Sequence, residues 1–262
     1  MPAYISFPHR SILRAIFSRK NQNISNPEYK RFIDILNELT SGRPIQHILG
    51  QADFYGNTFL VNEHTLIPRP ETEELVDWII KDHKANIRNT LNILDIGTGS
   101  GCIAISLQRG LKQAKISALD VSTEAIKIAR INADKLASQI SFIEADILDW
   151  DSSLTNKMDL DIIVSNPPYI TPKEQVAMHN NVLLFEPHSA LFVEEHFPLL
   201  FYSTIADFGQ YHLKLNGLLY FEINQYLSAE TTDLLRKKGY KDIEIRKDIN
   251  GVDRMIKASL DL

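Results

Sequence analysis

From about residue 90 the hydrophobic positions fall into short runs, at 92–96, 116–119, 140–143, 162–164 and 218–223. Helix-period segments lie between most of them, such as 123–136. Runs of that length, alternating with amphipathic helices, predict parallel strands buried on both faces by crossover helices. The end of the chain breaks the pattern. Residues 243–245 and 255–258 read as two strands joined by a turn at Asn250-Gly251, and a hairpin there makes the last strand antiparallel.

The first third is organised differently. Residues 27–40 carry Phe32, Ile33, Ile35, Leu36 and Leu39 at helical spacing, and Ser41-Gly42-Arg43-Pro44 ends that helix. Residues 52–61 read as a hairpin turning at Gly56-Asn57. Pro70 opens a further helix, with Glu71, Glu73 and Glu74 in the first turn, where the helix dipole favours negative charge, and Leu75, Val76, Ile79 and Ile80 as its apolar stripe. The expected organisation is a small helical unit over 1–50, a hairpin and linking helix over 51–85, and an α/β domain over 86–262. The expected class is a Rossmann-like, mostly parallel sheet finished by an antiparallel C-terminal hairpin.

Composition narrows the class. The 262 residues are 44% hydrophobic, enough for one full core and a small accessory piece, and the net charge of −5 lacks the basic excess of proteins that grip long nucleic acids. No direct nucleic-acid binding is expected. The single cysteine, Cys102, allows no internal disulfide and no cysteine zinc site, and the eight histidines have no ligand spacing, so no metal is expected. No apolar run is long enough for a membrane span, and a cytoplasmic location is expected. Residues 1–24 hold Arg10, Arg14, Arg19 and Lys20 and no acid, which resembles a targeting segment but is expected to be a short amphipathic helix that packs on its own domain or helps dock a partner.

The first apolar run leads straight into Gly97-Thr98-Gly99-Ser100-Gly101, with a helical segment after it. Glycines between a strand and a helix let the backbone approach a ligand closely. The spacing is G-x-G-x-G, with Cys102 where the dinucleotide fingerprint has its third glycine. That disfavours a pyrophosphate cradle and suits an aminoacyl sulfonium cofactor, S-adenosylmethionine. Asp95, at the end of the first strand, is expected near the cofactor's ammonium group. Asp120 ends the second strand, 21 residues after Gly99, where an acid can accept both ribose hydroxyls. Asp146 follows the third strand and is the candidate for the adenine amino group, with Ile147 against the ring.

Asn166-Pro167-Pro168-Tyr169 follows the fourth strand, beyond whose carboxyl end ligands of open α/β sheets bind. An amide or exocyclic amine nitrogen is a poor nucleophile, because its lone pair is delocalised. The Asn166 side-chain oxygen and the Pro167 carbonyl are acceptors suited to orient such an NH₂ group, and their bonds strengthen as charge develops on nitrogen. Tyr169 can stack on a planar substrate group, and the prolines stiffen the loop. These residues predict methyl transfer to a planar nitrogen.

With these motifs in place, the sequence resembles the HemK/PrmC family, the N5-glutamine methyltransferases of peptide chain release factors. The resemblance runs from about residue 25 to the C-terminus. Its pieces are Gly42-Arg43-Pro44-Ile45-Gln46-His47-Ile48-Leu49-Gly50, Phe54-Tyr55-Gly56, Leu66-Ile67-Pro68-Arg69-Pro70-Glu71-Thr72-Glu73, the glycine loop, Asn166–Tyr169 and Phe185-Glu186-Pro187. The resemblance implies a substrate, the glutamine of the Gly-Gly-Gln loop of class I release factors, a helical N-terminal domain that helps hold it, and Arg69 and Glu186 as substrate-side residues. Three departures are visible: the N-terminal domain is shortened, Val193-Glu194-Glu195-His196-Phe197 lacks the glycines many relatives have there, and Ile147 stands where many relatives carry tryptophan. The neighbouring classes are ribosomal-protein glutamine methyltransferases and nucleic-acid amine methyltransferases, which share the Asn-Pro-Pro-Tyr element but not the Arg69–Glu73 stretch.

Overall fold

A computed structural model describes residues 25–84, 90–176 and 178–260. The basic segment over 1–24 lies outside the described residues. Helix α1 (Asn26–Thr40) begins at a reciprocal cap, in which the Ser25 hydroxyl accepts from the Glu28 amide and the Glu28 carboxylate accepts from the Ser25 amide. None of its residues is buried, so its apolar stripe is at most half-covered. A short helix α2 (Ile45–Leu49) ends at Gly50 in the left-handed conformation, φ 66°.

Strands β1 (Gln51–Phe54) and β2 (Asn57–Leu60) form the expected hairpin, but the turn is one residue earlier than the sequence suggested. Phe54 pairs with Asn57, so Tyr55 and Gly56 are the central residues, with φ 45° and 74°. Two positive φ angles in a row match the right-handed twist of the flanking strands. Tyr55 is held there by one tertiary contact that local sequence does not show, its hydroxyl donating to Asp77 (3.1 Å), and by one local contact, its carbonyl accepting from the Asn57 side-chain amide (3.0 Å). Helix α3 (Pro70–His83) follows.

The main sheet has seven strands: β3 (Asn92–Ile96), β4 (Lys115–Asp120), β5 (Ile140–Glu144), β6 (Leu160–Ser165), β7 (Leu213–Glu222), β8 (Tyr240–Lys247) and β9 (Asp253–Leu260). Their order is β5-β4-β3-β6-β7-β9-β8, parallel except for β9, which is antiparallel to both neighbours. The expected α/β sheet with an antiparallel C-terminal hairpin is present. Because β4 and β5 lie to one side of β3 while β6 and β7 lie to the other, the chain switches direction at the β3–β6 pair, which opens a crevice at the strands' carboxyl ends. Strand β7 starts earlier than its apolar run, since Asn216 (φ 60°) and Gly217 resemble a turn locally yet are carried inside the strand.

Helices α4 (Cys102–Gly110) and α5 (Thr123–Lys135) cross over on one side of the sheet, and α9 (Leu200–His212) and α10 (Ser228–Lys237) on the other. Four short helices lie in loops: α6 (Trp150–Ser153), α7 (Pro172–Gln175) and α8 (Asn180–Phe185), with α2 before the hairpin. One core layer joins Phe54 and Phe59 of the hairpin, Leu75, Trp78 and Ile79 of α3, and Ile103 and Leu107 of α4. The other joins Tyr202, Ile205 and Phe208 of α9 to Leu219 and Phe221 of β7 and Ile256 of β9. Each such large side chain contributes about 1.5–3 kcal/mol on burial. No helix among the described residues is long and apolar enough to cross a membrane.

The hairpin is fastened to the site by one buried amide. The Asn132 oxygen on α5 accepts from the Leu60 amide (2.7 Å), and its NH₂ donates to the carbonyls of Leu60 (3.0 Å) and Ser100 (2.9 Å). The glycine loop and the accessory hairpin therefore share an anchor.

Candidate active site

The glycine loop leaves β3 at Ile96, and the Asn166 loop leaves β6 at Ser165; these two residues are paired across the strands. The Ser165 hydroxyl locks the pair by donating to the Ile96 carbonyl (2.7 Å). Gly97 and Asn166 consequently start side by side at the switch crevice. Gly97 and Gly99 have φ 74° and 54°, and a Cβ on either would meet only open space, so both leave a surface of bare backbone beside the crevice. Gly101 serves packing instead: a Cβ there would come within 3.1 Å of Ala129 on α5.

Asp95 lies under this loop and is fully buried. Its Oδ2 accepts from the Thr98 hydroxyl (2.7 Å) and the Ala104 amide (3.2 Å), while its Oδ1 has no partner among the described residues. Burial pushes the Asp95 carboxyl up to about 7. A buried carboxylate oxygen without a donor is costly unless a cation or donor completes it, so the site fits an ammonium group. The buried Ser100 hydroxyl also lacks a partner. Asp120 is half-buried at the end of β4. Its Oδ2 accepts from the Gly99 amide (2.8 Å) and its Oδ1 from the Ser122 amide (2.9 Å). Each oxygen keeps a second lone pair for a ribose hydroxyl. Burial raises its carboxyl as well. These features fit an aminoacyl nucleoside cofactor.

The Asp146 side chain is exposed and accepts from the Leu148 amide (2.8 Å), capping a short 3₁₀ turn. Ile147, expected against the adenine ring, is 6% exposed and packs into the second core layer. Cys102 is buried, and burial raises its thiol to about 12, as expected of a packing residue.

The Asn166 loop is braced from behind by residues the sequence reading did not single out. The Asn166 NH₂ donates to the Thr72 hydroxyl (3.2 Å), which donates to Glu222 Oε2 (2.6 Å). Tyr169 donates to Glu222 Oε1 (2.9 Å) and accepts from Arg254 (3.4 Å). The Asn224 NH₂ donates to the Tyr169 carbonyl (3.0 Å) and to Glu174, and Arg254 donates to Asp248 (3.0 Å). Tyr169, expected to stack on substrate, rests its ring against the second core layer. Pro167 is buried and Pro168 half-buried. Glu222 ends β7 with only 2% exposure. Its signal was present in the sequence, as an acid closing the apolar run Leu218-Leu219-Tyr220-Phe221.

Arg69 and Glu186, both expected on the substrate side, are ion-paired to each other. The second oxygen of Glu186 accepts from the Ile67 amide (3.0 Å), so this carboxylate ties the segment before α3 to the loop after α8. Removing the cation strands a buried anion. Arg69→Ala is expected to destabilise the protein by about 2–4 kcal/mol, below the fully buried figure because Arg69 is partly solvated, and more than Glu186→Gln does. Urea unfolding curves of both variants check this; equal midpoints for Arg69→Ala and the unmodified chain contradict it.

Among the described residues, no group of three or more histidine, cysteine or acidic side chains is placed to hold a metal ion. A groove lined by Lys112, Lys115, Arg130 and Gln139 lies at the amino ends of β3 to β6, at the opposite edge of the sheet from the glycine loop.

Residues 77–193 match the model of the methyltransferase small domain family. The chain is 50% identical over 237 residues to a release factor glutamine methyltransferase from Flavobacterium psychrophilum, covering 90% of this chain and 82% of the relative. It is 43% identical over 244 residues to a protein of the same name from Bacteroides thetaiotaomicron, covering 93% and 86%. The crystal structure of a methyltransferase from Pyrococcus furiosus superposes with a TM-score of 0.55 at 15% identity, over 91% of this chain and all of that one, a likeness of fold. The glycine loop with its two acids, the braced Asn-Pro-Pro-Tyr loop and identity sustained over nine-tenths of the chain agree: the chain belongs to the S-adenosylmethionine-dependent release factor glutamine methyltransferase family.

Proposed function

We propose that this enzyme methylates the side-chain amide nitrogen, N5, of the glutamine in the Gly-Gly-Gln loop of class I peptide chain release factors, in the cytoplasm. The observation that carries the reading is the orientation of Asn166. Its NH₂ is committed to Thr72, which leaves the oxygen as the free end of the amide, at the head of β6 beside the glycine loop.

Asp95 holds the cofactor's ammonium group, Asp120 its ribose, and the bare backbone of Gly97 to Gly101 lies along it, with Thr98 and Ser100 lining the turn. Asp146 and Ile147 border the adenine end. When bound, the cofactor supplies an electrophilic methyl group on a sulfonium. The Asn166 oxygen and the Pro167 carbonyl each accept one hydrogen of the glutamine NH₂. Two acceptors in fixed positions orient the nitrogen and bind it more tightly as it becomes positive, which lowers the barrier rather than the ground state. Pro168 and Tyr169 hold the loop's shape against β7. Residues 1–50 serve as a docking unit for the release factor.

The test is incubation with methyl-labelled cofactor and a purified class I release factor, beside the same factor with its loop glutamine changed to alanine. Label is expected in the first and not in the second. Equal labelling of both, or labelling of ribosomal protein or RNA in its place, overturns the proposal.

A further inference from the structure

We infer that Thr72 and Glu222 are positioning residues that fix which way the Asn166 side-chain amide faces, presenting its oxygen and not its NH₂ to the substrate nitrogen. The inference rests on the proposed role of Asn166 as an acceptor and deepens it.

A primary amide can turn over at little steric cost, exchanging a donor for an acceptor in nearly the same place. In this site the wrong face sets NH₂ against NH₂ and abolishes the orienting contact. What fixes the amide is a chain of hydrogen bonds whose polarity can be followed from one end. Arg254 has only donors, so its contact with Tyr169 (3.4 Å) occupies a lone pair of the phenol oxygen. The Tyr169 hydrogen then goes to Glu222 Oε1 (2.9 Å). Ionised Glu222 is acceptor-only, so Oε2 takes the Thr72 hydrogen (2.6 Å). The Thr72 oxygen is left with lone pairs alone, and it accepts the Asn166 NH₂ at 3.2 Å. Every group is satisfied in one arrangement, and that arrangement turns the Asn166 oxygen outward.

Protonating Glu222 reverses the chain. Tyr169 still donates to Oε1, so the new proton sits on Oε2 and points at Thr72. A Thr72 oxygen that accepts from Glu222 frees its hydrogen to turn to Asn166, and in that arrangement the amide offers its oxygen inward and its NH₂ to the substrate. The groups around this carboxylate are Glu71 in the first turn of α3, Tyr169 on the Asn166 loop, Arg254 on β9, and Tyr202 of α9, whose hydroxyl donates to the Glu222 carbonyl (3.3 Å). Burial and Glu71 raise the Glu222 carboxyl, against the two hydroxyl donors and Arg254. Acid therefore favours the reversed arrangement.

Single-turnover methyl transfer to a purified release factor, at saturating cofactor and factor, is measured from about pH 5 to about pH 8.5. Near pH 8, Thr72→Val, which keeps the shape and removes the hydroxyl, is expected to be about ten-fold slower than wild type, and Thr72→Ser to recover most of the rate. The wild-type to Thr72→Val ratio is expected to shrink toward unity as pH falls, since only wild type couples Asn166 to Glu222. Asp95 titrates in both proteins and drops out of the ratio. Cofactor Kd is expected to be the same for all three.

A deficit that does not change with pH marks a purely structural role and overturns the inference, as does Thr72→Val at the wild-type rate or Thr72→Ser as slow as Thr72→Val. If Thr72→Val does not fold, Glu222→Gln carries the test. Its amide cannot accept from both hydroxyls and does not titrate, so a variant that keeps the full wild-type rate and acid limb overturns the inference equally. Asn166→Ala separates the two levels. If it transfers at the wild-type rate, the acceptor reading itself fails; if it is slow while the Thr72→Val deficit ignores pH, only the positioning role fails.

Discussion

Asn166→Ala is expected to lower the single-turnover rate of methyl transfer by about 10²–10³ while leaving cofactor affinity nearly unchanged. The size follows from what is lost. A preorganised acceptor acts most strongly where charge develops, and the amide nitrogen becomes positive only on the way to the transition state. Cofactor affinity is spared because Asp95, Asp120 and the glycine loop stand on other strands. Asn166→Asp sharpens the comparison, since it retains an acceptor and is expected to keep more activity than alanine. Its added charge can also tighten the cofactor, so rates are compared at saturating cofactor. The new carboxylate also loses the donor that Thr72 accepts, so Asn166→Asp is expected to fall short of wild type. Transfer by Asn166→Ala at the wild-type rate would show that this loop does not carry the chemistry.

The second large effect concerns Asp120. Asp120→Ala is expected to weaken S-adenosylmethionine binding by about ten- to several-hundred-fold, the loss of one or two hydrogen bonds to a charged acceptor. The Gly99 amide also depends on this carboxylate, so part of the loss comes through the loop. Asp120→Asn is expected to fall between the two, because it keeps one acceptor for either Gly99 or the ribose. Calorimetry gives the affinities, with thermal unfolding as a control for loop damage. An unchanged Kd for Asp120→Ala rules out the ribose role.

A pH dependence accompanies this prediction. Burial pushes the Asp95 carboxyl up to about 7 and raises Asp120 too. The ionised forms bind the ammonium and the hydroxyls, so Kd is expected to tighten as pH rises through about 7 and to weaken below it. The same measurement on Asp95→Asn is expected to lose most of that dependence. A wild-type Kd that is flat across this range contradicts the assignment of Asp95.

What could be read along the chain was what depends on near neighbours. Strand and helix alternation, the glycine turn, the acids ending β3 and β4 and the Asn-Pro-Pro-Tyr loop are all encoded within a few residues of where they act. Short apolar runs bury only as strands with helices over both faces, and the order of strands places their carboxyl-end motifs at the switch crevice. The antiparallel end followed from the Asn250-Gly251 turn for the same reason.

What only tertiary structure decided are partnerships between distant residues. Thr72 and Glu222 are 150 residues apart, and Arg254 is 85 residues beyond Tyr169. Along the chain Thr72, Glu222 and Arg254 are ordinary polar residues near element ends. They become one circuit only when α3, β6, β7 and β9 meet at one edge of the sheet. Arg69 and Glu186, each pointing singly to substrate, proved to be each other's partner across 117 residues. Asn132, in a helix whose pattern marked only an amphipathic surface, joins the hairpin to the glycine loop. The Tyr55-Gly56 turn shifted by one residue because a tyrosine accepts a left-handed backbone when its hydroxyl finds Asp77 on another element. Hydrophobic periodicity specifies which face is buried. It carries no information on which buried polar group meets which, because that choice is made by the packing of whole elements, and a buried donor or acceptor must then take the partner that packing brings.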